Sequence, residues 1–278
     1  MKSVLETIQG GAQYLEKRAV GEPRRNMEHL LAHALGCDRM ALYTQFDRPL
    51  EEEILVPLRD LLKKRGEGVP LQHLLGRVFF HGREFVCDGR ALIPRPETEE
   101  LVEVILRNFP AGEMEILEMG CGSGVLGLTL AAERLESRVT LVDVSPEALA
   151  LAGENAQKLG LGNVSIIHSD LFGSVTGCFD LIAANLPYVP AGEAKTMQRE
   201  LAHDPALALF SGKDGLDLLR RFIPEACEFL KPGGRLALEI GHDQADAVRQ
   251  ILENAGFAEI EVYKDLSGIA RFPFAIHP

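Results

Sequence analysis

The sequence has no tryptophan, few cysteines and no long apolar run. A membrane-spanning helix needs about 18 or more consecutive apolar residues, and no stretch of the chain comes near that length. Charged residues at Lys2 and Glu6 interrupt the start of the chain before a signal-peptide apolar segment develops. These absences predict a cytoplasmic protein that does not associate with membranes.

The five cysteines are too few and too scattered for a disulfide framework. None forms a C-x-x-C pair, the spacing typical of zinc sites and redox motifs. His29 and His33 lie four residues apart, but the segment lacks the glutamate of a metalloprotease motif and no third ligand is evident. The sequence therefore predicts reduced cysteines and no bound metal.

Positive charge is also scarce. The 29 Lys and Arg residues are outnumbered by 41 Asp and Glu residues, which gives a formal net charge of −12. Such a charge repels the phosphate backbone of a nucleic acid unless basic residues gather on one face. We therefore expect a protein that does not bind nucleic acid directly. Separately, we expect a monomer. The hydrophobic fraction of 46% excludes a disordered chain.

Two regions of different character follow one another. In residues 1–75, apolar residues recur at spacings of three and four, which predicts a small bundle of helices. Residues 76–92 contain two short extended runs around His81-Gly82-Arg83, and we expect a β-hairpin that links the two regions. Residues 93–278 alternate strand and helix patterns, which is typical of a doubly wound α/β fold with a mostly parallel sheet.

Five apolar runs in the second region are candidates for buried parallel strands. They are residues 116–119, 139–142, 164–167, 181–184 and 236–240. Residues 260–276 are predicted to form two further strands around a turn. Ligands of open α/β sheets bind outside the carboxyl ends of the strands, so the residues that follow these runs form the candidate site.

A glycine-rich segment follows the first run: Glu118-Met119-Gly120-Cys121-Gly122-Ser123-Gly124. Glycines allow a tight turn and a close approach of a ligand to the backbone. The candidate cofactor-binding residues here are Glu118, Gly120, Cys121, Gly122, Ser123 and Gly124. Residues 122–127 also fit the dinucleotide pattern G-x-G-x-x-G, so the segment alone does not distinguish S-adenosylmethionine from a nicotinamide cofactor.

Two aspartates follow the next two runs. Asp143 lies where a carboxylate can accept hydrogen bonds from both ribose hydroxyls of S-adenosylmethionine or NAD. The alternative for Asp143 is a helix cap, a role that Ser145 fills better. Asp170 can accept a hydrogen bond from an adenine amine while Leu171 packs on the ring, and the alternative for Asp170 is a plain turn residue.

The segment Asn185-Leu186-Pro187-Tyr188 follows the fourth run. The side-chain oxygen of Asn185 and the backbone carbonyl of Pro187 can each accept one N–H of a substrate NH₂ group, while Tyr188 packs against its flat face. This pattern favours methyl transfer to a planar nitrogen, with Asn185, Pro187 and Tyr188 as catalytic residues and Asn185 also beside the cofactor. A turn imposed by the proline is the alternative.

Several segments together resemble the HemK/PrmC family of peptide chain release factor glutamine methyltransferases, along nearly the whole chain. The most specific is Leu92-Ile93-Pro94-Arg95-Pro96-Glu97-Thr98-Glu99. The others are residues 70–76, 79–85, 118–124, 204–217 and 230–234. One position departs from the family, which usually has a second proline where this chain has Leu186. A leucine there adds an N–H group and frees φ.

The resemblance implies a class I S-adenosylmethionine-dependent methyltransferase fold, Rossmann-like with a mostly parallel seven-stranded sheet, after a small all-helical N-terminal domain that recognises the protein substrate. It implies methyl transfer to the side-chain amide nitrogen of a glutamine in a peptide chain release factor. The products would be N5-methylglutamine and S-adenosylhomocysteine. It also implies that Arg95, Pro96 and Glu97 bind substrate together with Asn185, Leu186, Pro187 and Tyr188. Pro96 and Glu97 also suit a helix start, which does not explain Arg95.

Three alternatives stay open at this point. An adenine N6-methyltransferase presents the same planar NH₂ group, and Asn-Leu-Pro-Tyr also resembles the motif of ribosomal RNA adenine dimethylases, but the net charge disfavours nucleic acid. A nicotinamide-dependent oxidoreductase would use the same glycines and Asp143. In the third, the helical domain is a binding module beside an inert catalytic fold, which the intact glycines, Asp143 and Asn185 disfavour.

Overall fold

The computed structural model describes residues 2–109, 112–195 and 199–278. The chain divides into a helical unit and an α/β unit, each compact. The helical unit comprises Met1–Arg77 with Gln198–His203, and the α/β unit comprises Val78–Met197 with Asp204–Pro278. Within the described ranges, no helix is both long enough and apolar enough to cross a membrane.

The helical unit is built from short amphipathic helices with defined ends. They are α1 (Val4–Glu16), α2 (Pro23–Leu35), α3 (Glu52–Gly66) and α4 (Leu71–Leu75), with 3₁₀ segments at Arg39–Thr44 and Arg199–His203. Ser3 and Glu6 form a capping box at the start of α1. Gly36 ends α2 with a φ of 63°. Leucines from α2 and α3 pack against α1 and form one apolar core.

Strands β1 (Arg77–Phe80) and β2 (Arg83–Val86) form a two-stranded sheet, and a seven-stranded sheet follows. The strands of the larger sheet are β3 (Glu115–Met119), β4 (Arg138–Asp143), β5 (Val164–His168), β6 (Phe179–Ala184), β7 (Leu230–Leu238), β8 (Ala258–Lys264) and β9 (Ala270–Ile276). Their order is β5-β4-β3-β6-β7-β9-β8, and only β9 runs antiparallel to its neighbours. The predicted fold class is thereby confirmed.

Helices cover both faces of the seven-stranded sheet. They are α5 (Pro96–Asn108), α6 (Val125–Glu133), α7 (Pro146–Leu159), α8 (Asp217–Phe229) and α9 (Ala245–Asn254). Ile116 of β3 packs in the core with α5, α6 and α7, whereas its neighbour Leu117 packs in the core with α8 and α9. Successive side chains of a strand point to opposite faces, so a central strand covered on both sides carries apolar residues on both faces.

Two strands differ from the sequence prediction by more than two residues at an end or in burial. Strand β7 begins at Leu230, which pairs with Phe179, and ends at Leu238 instead of Ile240. An irregularity in the β6–β7 pairing accommodates Gly233, whose φ is 75°, within the strand. Strand β5 lies at the edge of the sheet and is half exposed, so the prediction that residues 164–167 form a buried strand is wrong.

Candidate active site

A cavity of about 410 Å³ lies at the carboxyl ends of the parallel strands of the α/β unit. Strands β4 and β6 pair on opposite sides of β3, so this is the switch point at which open α/β sheets bind ligands. Its volume falls within the range of roughly 300–1,000 Å³ typical of small-molecule sites. The loops after β3, β4, β5 and β6 supply much of the lining, together with residues before and in the first turn of α5. Pro205, Leu207 and Ala208, with Leu218 and Arg221 of the helix Asp217–Phe229, also line the cavity.

Gly120 brings the loop after β3 against the loop after β6. Its φ of 68° lies in the left-handed region, which side chains disfavour. A Cβ at this position would lie 2.6 Å from Cδ2 of Leu186. Leu186 is buried and lines the cavity. The residue that departs from the family pattern therefore fills the space directly over the glycine-rich loop.

Glu118 is a buried carboxyl group at the end of β3 that lines the cavity. Its Oε2 accepts a 2.8 Å hydrogen bond from the backbone N–H of Gly127 in α6. Burial raises the pKa of Glu118 to about 8, although the Gly127 hydrogen bond opposes this shift. Burial also raises the pKa of the Cys121 thiol well above its usual value, so Cys121 stays protonated and is a poor nucleophile.

Asp143 connects the loops after β3 and β4 through its carboxylate. Its Oδ2 accepts from Gly122 N–H at 2.8 Å, and its Oδ1 accepts from Ser145 N–H at 2.9 Å. The cap of α7 is Ser145, whose hydroxyl accepts from Ala148 N–H. Each carboxylate oxygen keeps a further lone pair for a ligand, and Asp143 lines the cavity.

Asp170 and Leu171 form the edge of the cavity after β5. Asp170 is exposed and pairs with Arg221 at 3.1 Å. Leu171 is buried and has a φ of 47°, an unfavourable conformation for a residue with a side chain. Both line the cavity, so the polar and apolar contacts predicted for an adenine ring lie side by side.

Asn185 follows β6 and presents its amide to the cavity. Its Nδ2 donates a 3.0 Å hydrogen bond to Oγ1 of Thr98, in the first turn of α5. Oγ1 of Thr98 donates in turn to Oε2 of Glu239 at 2.7 Å. Among the described residues, no group donates to Oδ1 of Asn185. The amide oxygen therefore remains available as an acceptor.

Pro187 lines the cavity, whereas Tyr188 does not. Burial raises the pKa of Tyr188 to about 12, with a further contribution from the Glu239 carboxylate, so the phenol stays protonated. The backbone carbonyl of Tyr188 accepts a 3.0 Å hydrogen bond from Nε2 of buried Gln244. Gln244 therefore fixes the end of this loop. The expected packing of Tyr188 on a substrate amide stays a prediction.

The segment before α5 is fixed by Asp204, whose side chain is fully buried. Its Oδ2 accepts from Arg95 at 2.9 Å, and its Oδ1 accepts from the backbone N–H of Ile93 at 3.4 Å. Arg95 is the N-cap residue of α5, and Pro96 is the first helical residue. The segment therefore serves as a helix start while Arg95 also lines the cavity.

The cavity brings together most of the residues selected from the sequence. Those that line it are Arg95, Glu118, Gly120, Cys121, Gly122, Ser123, Asp143, Asp170, Leu171, Asn185, Leu186 and Pro187. Those that do not are Pro96, Glu97, Gly124 and Tyr188. Gly124 instead caps α6, and Pro96 is exposed at the start of α5.

Sequence reasoning missed Thr98, Asp204, Glu239 and Gln244. Glu239 carried a usable signal, because a single carboxylate in the apolar run 236–240 requires a buried partner. The other three contact loops that are distant in sequence, and no local pattern indicates those contacts. In the part of the chain that the structure describes, no group of three or more His, Cys, Asp or Glu residues could hold a metal ion.

Comparisons with known proteins agree with this architecture. A family model described as the PrmC N-terminal domain matches residues 6–76, and one described as a methyltransferase domain matches residues 111–262. The release factor glutamine methyltransferase of Geobacter sulfurreducens is 38% identical over 98% of this chain and 94% of its own length. That of Deinococcus radiodurans is 39% identical over 93% of this chain and 92% of its own length.

Solved structures show the same fold at lower identity. A methyltransferase from Pyrococcus furiosus matches with a TM-score of 0.54 and 20% identity over 71% of this chain and 90% of that chain. A 16S rRNA N2 G1207 methyltransferase from T. thermophilus, in complex with AdoMet and guanosine, matches with a TM-score of 0.54 and 20% identity over 73% of this chain and 50% of that chain. At such identities the similarity concerns the fold alone.

Proposed function

The chain belongs to the family of release factor glutamine methyltransferases, and from this membership we propose that it methylates the side-chain amide nitrogen of a glutamine in a peptide chain release factor. The methyl donor is S-adenosylmethionine, and the products are N5-methylglutamine and S-adenosylhomocysteine. The observation that carries the proposal is the amide of Asn185, whose Nδ2 is engaged by Thr98 while Oδ1 is available to the cavity.

The residues around the cavity suit S-adenosylmethionine. Asp143 keeps carboxylate lone pairs for two ribose hydroxyls, beside glycines that permit close approach. Asp170 is an acceptor for the adenine amine, and Leu171 is an apolar surface for the ring. Glu118 supplies a carboxyl group for the positively charged part of the donor. When bound, the donor supplies an electrophilic methyl group on a positively charged sulfur.

The chain's own contribution is to orient the glutamine amide. An amide nitrogen is a poor nucleophile because its lone pair is shared with the carbonyl group. Oδ1 of Asn185 and the carbonyl oxygen of Pro187 can accept the two N–H groups, which fixes the plane of the amide. Orientation of this kind can lower the barrier by several kcal/mol. As the nitrogen becomes positive, both dipoles stabilise it more than in the ground state.

We assign the recognition of the protein substrate to residues 1–75 and the chemistry to residues 93–278, with residues 76–92 as the link. The match of residues 6–76 to the PrmC N-terminal domain supports a dedicated role for the first segment. Arg95, Pro96 and Glu97 are assigned to the substrate side of the site. A cytoplasmic location, a monomeric state and the lack of direct nucleic-acid binding stay predictions.

Single-turnover transfer of labelled methyl from S-adenosylmethionine to purified release factor tests this function. We expect label on one glutamine of the intact factor, located by mass spectrometry, and none on a copy in which that glutamine is replaced. Asn185→Ala should lower the rate constant by about 100-fold or more, because it removes one of two acceptors used in the transition state. Its affinity for S-adenosylmethionine should change much less.

Asn254→Ala is the matched control, because Asn254 is exposed at the end of α9, outside the cavity lining. It should retain the wild-type rate. Label on ribosomal RNA in place of the release factor would contradict the proposal and favour adenine methylation. Asn185→Ala with the wild-type rate would exclude the proposed role of this amide.

A further inference from the structure

Three side chains from separate elements form a chain of hydrogen bonds behind the site. Asn185 follows β6, Thr98 lies in the first turn of α5, and Glu239 follows β7. Nδ2 of Asn185 lies 3.0 Å from Oγ1 of Thr98, and that Oγ1 lies 2.7 Å from Oε2 of Glu239. Thr98 is 4% exposed and Glu239 is 1% exposed. Water is therefore excluded from the Thr98–Glu239 hydrogen bond.

The direction of these bonds follows from proton count. A threonine hydroxyl has one proton, and an ionised carboxylate can only accept. While Thr98 donates to Glu239, it can only accept from Asn185. The amide of Asn185 must then direct its NH₂ group to Thr98 and its oxygen to the cavity. A flipped amide would place Oδ1 against the lone pairs of Thr98.

We propose that Glu239 is a positioning residue, whose carboxylate acts through Thr98 to hold Oδ1 of Asn185 toward the substrate amide. This inference rests on the proposed function and deepens it. Glu239 does not line the cavity, whereas Thr98 and Asn185 do. Glu239 determines which end of the Asn185 amide the substrate meets, and therefore whether the substrate N–H finds an acceptor or a second donor.

The surroundings of Glu239 make this control sensitive to pH. Burial raises its pKa to about 7, while the hydrogen bond from Thr98 and a weaker one from the Asn185 amide oppose the shift. Glu97 of α5 raises the pKa further, and Arg271 of β9 lowers it. The phenol of Tyr188 also faces this group. Oε1 of Glu239 has no hydrogen-bond partner among the described residues, so it is the oxygen that can take up a proton without breaking a contact.

A protonated Glu239 removes the constraint. Once the carboxyl group rotates its O–H to Thr98, the hydroxyl can donate to Oδ1 of Asn185. The Asn185 amide then presents its NH₂ group to the cavity, where it opposes the N–H groups of the substrate. The rate of methyl transfer should therefore fall below a midpoint near pH 7, by about tenfold per pH unit in the limit.

Single-turnover rates at saturating substrates, measured from pH 5.5 to 8.5, test the inference. We expect the wild type to show the acidic decline. Glu239→Met should lose tenfold or more of the rate at pH 8, and its remaining rate should lack the decline. Thr98→Val should also lose rate, whereas Thr98→Ser, which restores the hydroxyl, should recover both the rate and the decline. Binding of S-adenosylmethionine, measured by calorimetry, should stay within about threefold in all variants.

Thr129→Val is the matched control, since Thr129 is fully buried in α6 and its hydroxyl donates to the carbonyl of Val125 in the same helix, its one hydrogen bond among the described residues. It should keep the wild-type rate and pH profile. Glu239→Met with an unchanged rate and an unchanged acidic decline would overturn the inference. A wild-type profile that is flat between pH 5.5 and 8.5 would do the same.

The side-chain amide resonances of Asn185 give a readout that needs no substrate. In the free protein they should shift with a midpoint near pH 7 in the wild type and in Thr98→Ser, and this titration should be lost in Glu239→Met. A protein that shows the titration but methylates no glutamine would refute the proposed function alone. A protein that methylates glutamine, but whose Asn185 side-chain amide resonances do not shift between pH 5.5 and 8.5, would refute this inference alone.

Discussion

Gly127 determines how closely α6 approaches the sheet. A Cβ at this position would lie 2.6 Å from Oε2 of Glu118 and even closer to the side chain of Leu141. Gly127→Ala therefore disturbs the buried hydrogen bond of Glu118 and overpacks the helix–sheet interface. Overpacking costs roughly 1–3 kcal/mol, and the better helix propensity of alanine offsets only about 0.5–1 kcal/mol of it. We expect a net loss of about 1–2 kcal/mol in the free energy of unfolding, measured by urea denaturation.

Gly153→Ala provides the matched control in the interior of α7. Its Cβ would meet nothing closer than Cδ1 of Ile166, at 3.6 Å, which is ordinary contact. This substitution should stabilise the protein by about 0.5–1 kcal/mol, because alanine restricts the unfolded chain and favours helix. Equal stability of the two variants would show that the approach at Gly127 does not require glycine.

Single residues of the site were predictable where local chemistry specified them. The glycines after β3 and the side chains of Asp143 and Asn185 follow strands directly, and the sheet brings strand ends together. Thr98 was within the most specific sequence segment, yet its role depends on contacts with Asn185 and Glu239, which lie 87 and 141 residues away. Such contacts are set by topology, and a local sequence pattern does not encode them.

At the scale of elements, Asn155 of α7 connects the β-hairpin to the glycine-rich loop. Its Oδ1 accepts from Val86 N–H at 2.7 Å, and its Nδ2 donates to the carbonyls of Val86 and Ser123 at 3.2 and 3.0 Å. Asn155 is fully buried, so its removal leaves backbone groups without partners. Asn155→Ala should destabilise the α/β unit by about 2–4 kcal/mol and accelerate hydrogen exchange at the Val86 amide.

Asn254→Ala again serves as the comparison, because Asn254 is exposed at the end of α9. Its free energy of unfolding should stay within about 0.5 kcal/mol of the wild type. Protection of the Val86 amide that survives in Asn155→Ala would mean that the hairpin holds its position without α7.

The order of elements was more predictable than their edges. Alternating apolar runs and helical periods indicated the parallel sheet, whereas burial of β5 was overestimated because an apolar run does not reveal whether its strand is central. Strand β7 was predicted six residues too short at its start. A Lys-Pro-Gly-Gly sequence is typical of a turn, but pairing of Leu230 with Phe179 begins the strand before it.

For the molecule as a whole, two buried carboxyl groups link stability to pH. The pKa values of Glu118 and Glu239 are raised by burial from 4.5 to about 8 and about 7. Between the unfolded and folded pKa values, the folded state holds protons that the unfolded state has lost. Stability therefore falls as pH rises through this window. His29, whose pKa is lowered mainly by burial, acts in the opposite direction, but its effect is complete above pH 6.5.

The effect of the two carboxyl groups on stability should be clearest between pH 6.5 and 8.5. In this range we expect the free energy of unfolding to fall by on the order of 2 kcal/mol. Glu118→Gln should remove most of this fall, because an amide keeps an acceptor for Gly127 N–H and does not titrate. Glu253→Gln, at an exposed position of α9, should retain it. Urea denaturation at several pH values gives the free energy of unfolding of the wild type and of both variants. If stability were flat across this range in the wild type, or if Glu118→Gln showed the same fall, Glu118 would have to be ionised in the folded protein at neutral pH. The cavity would then carry a fixed negative charge there before a cationic methyl donor arrives.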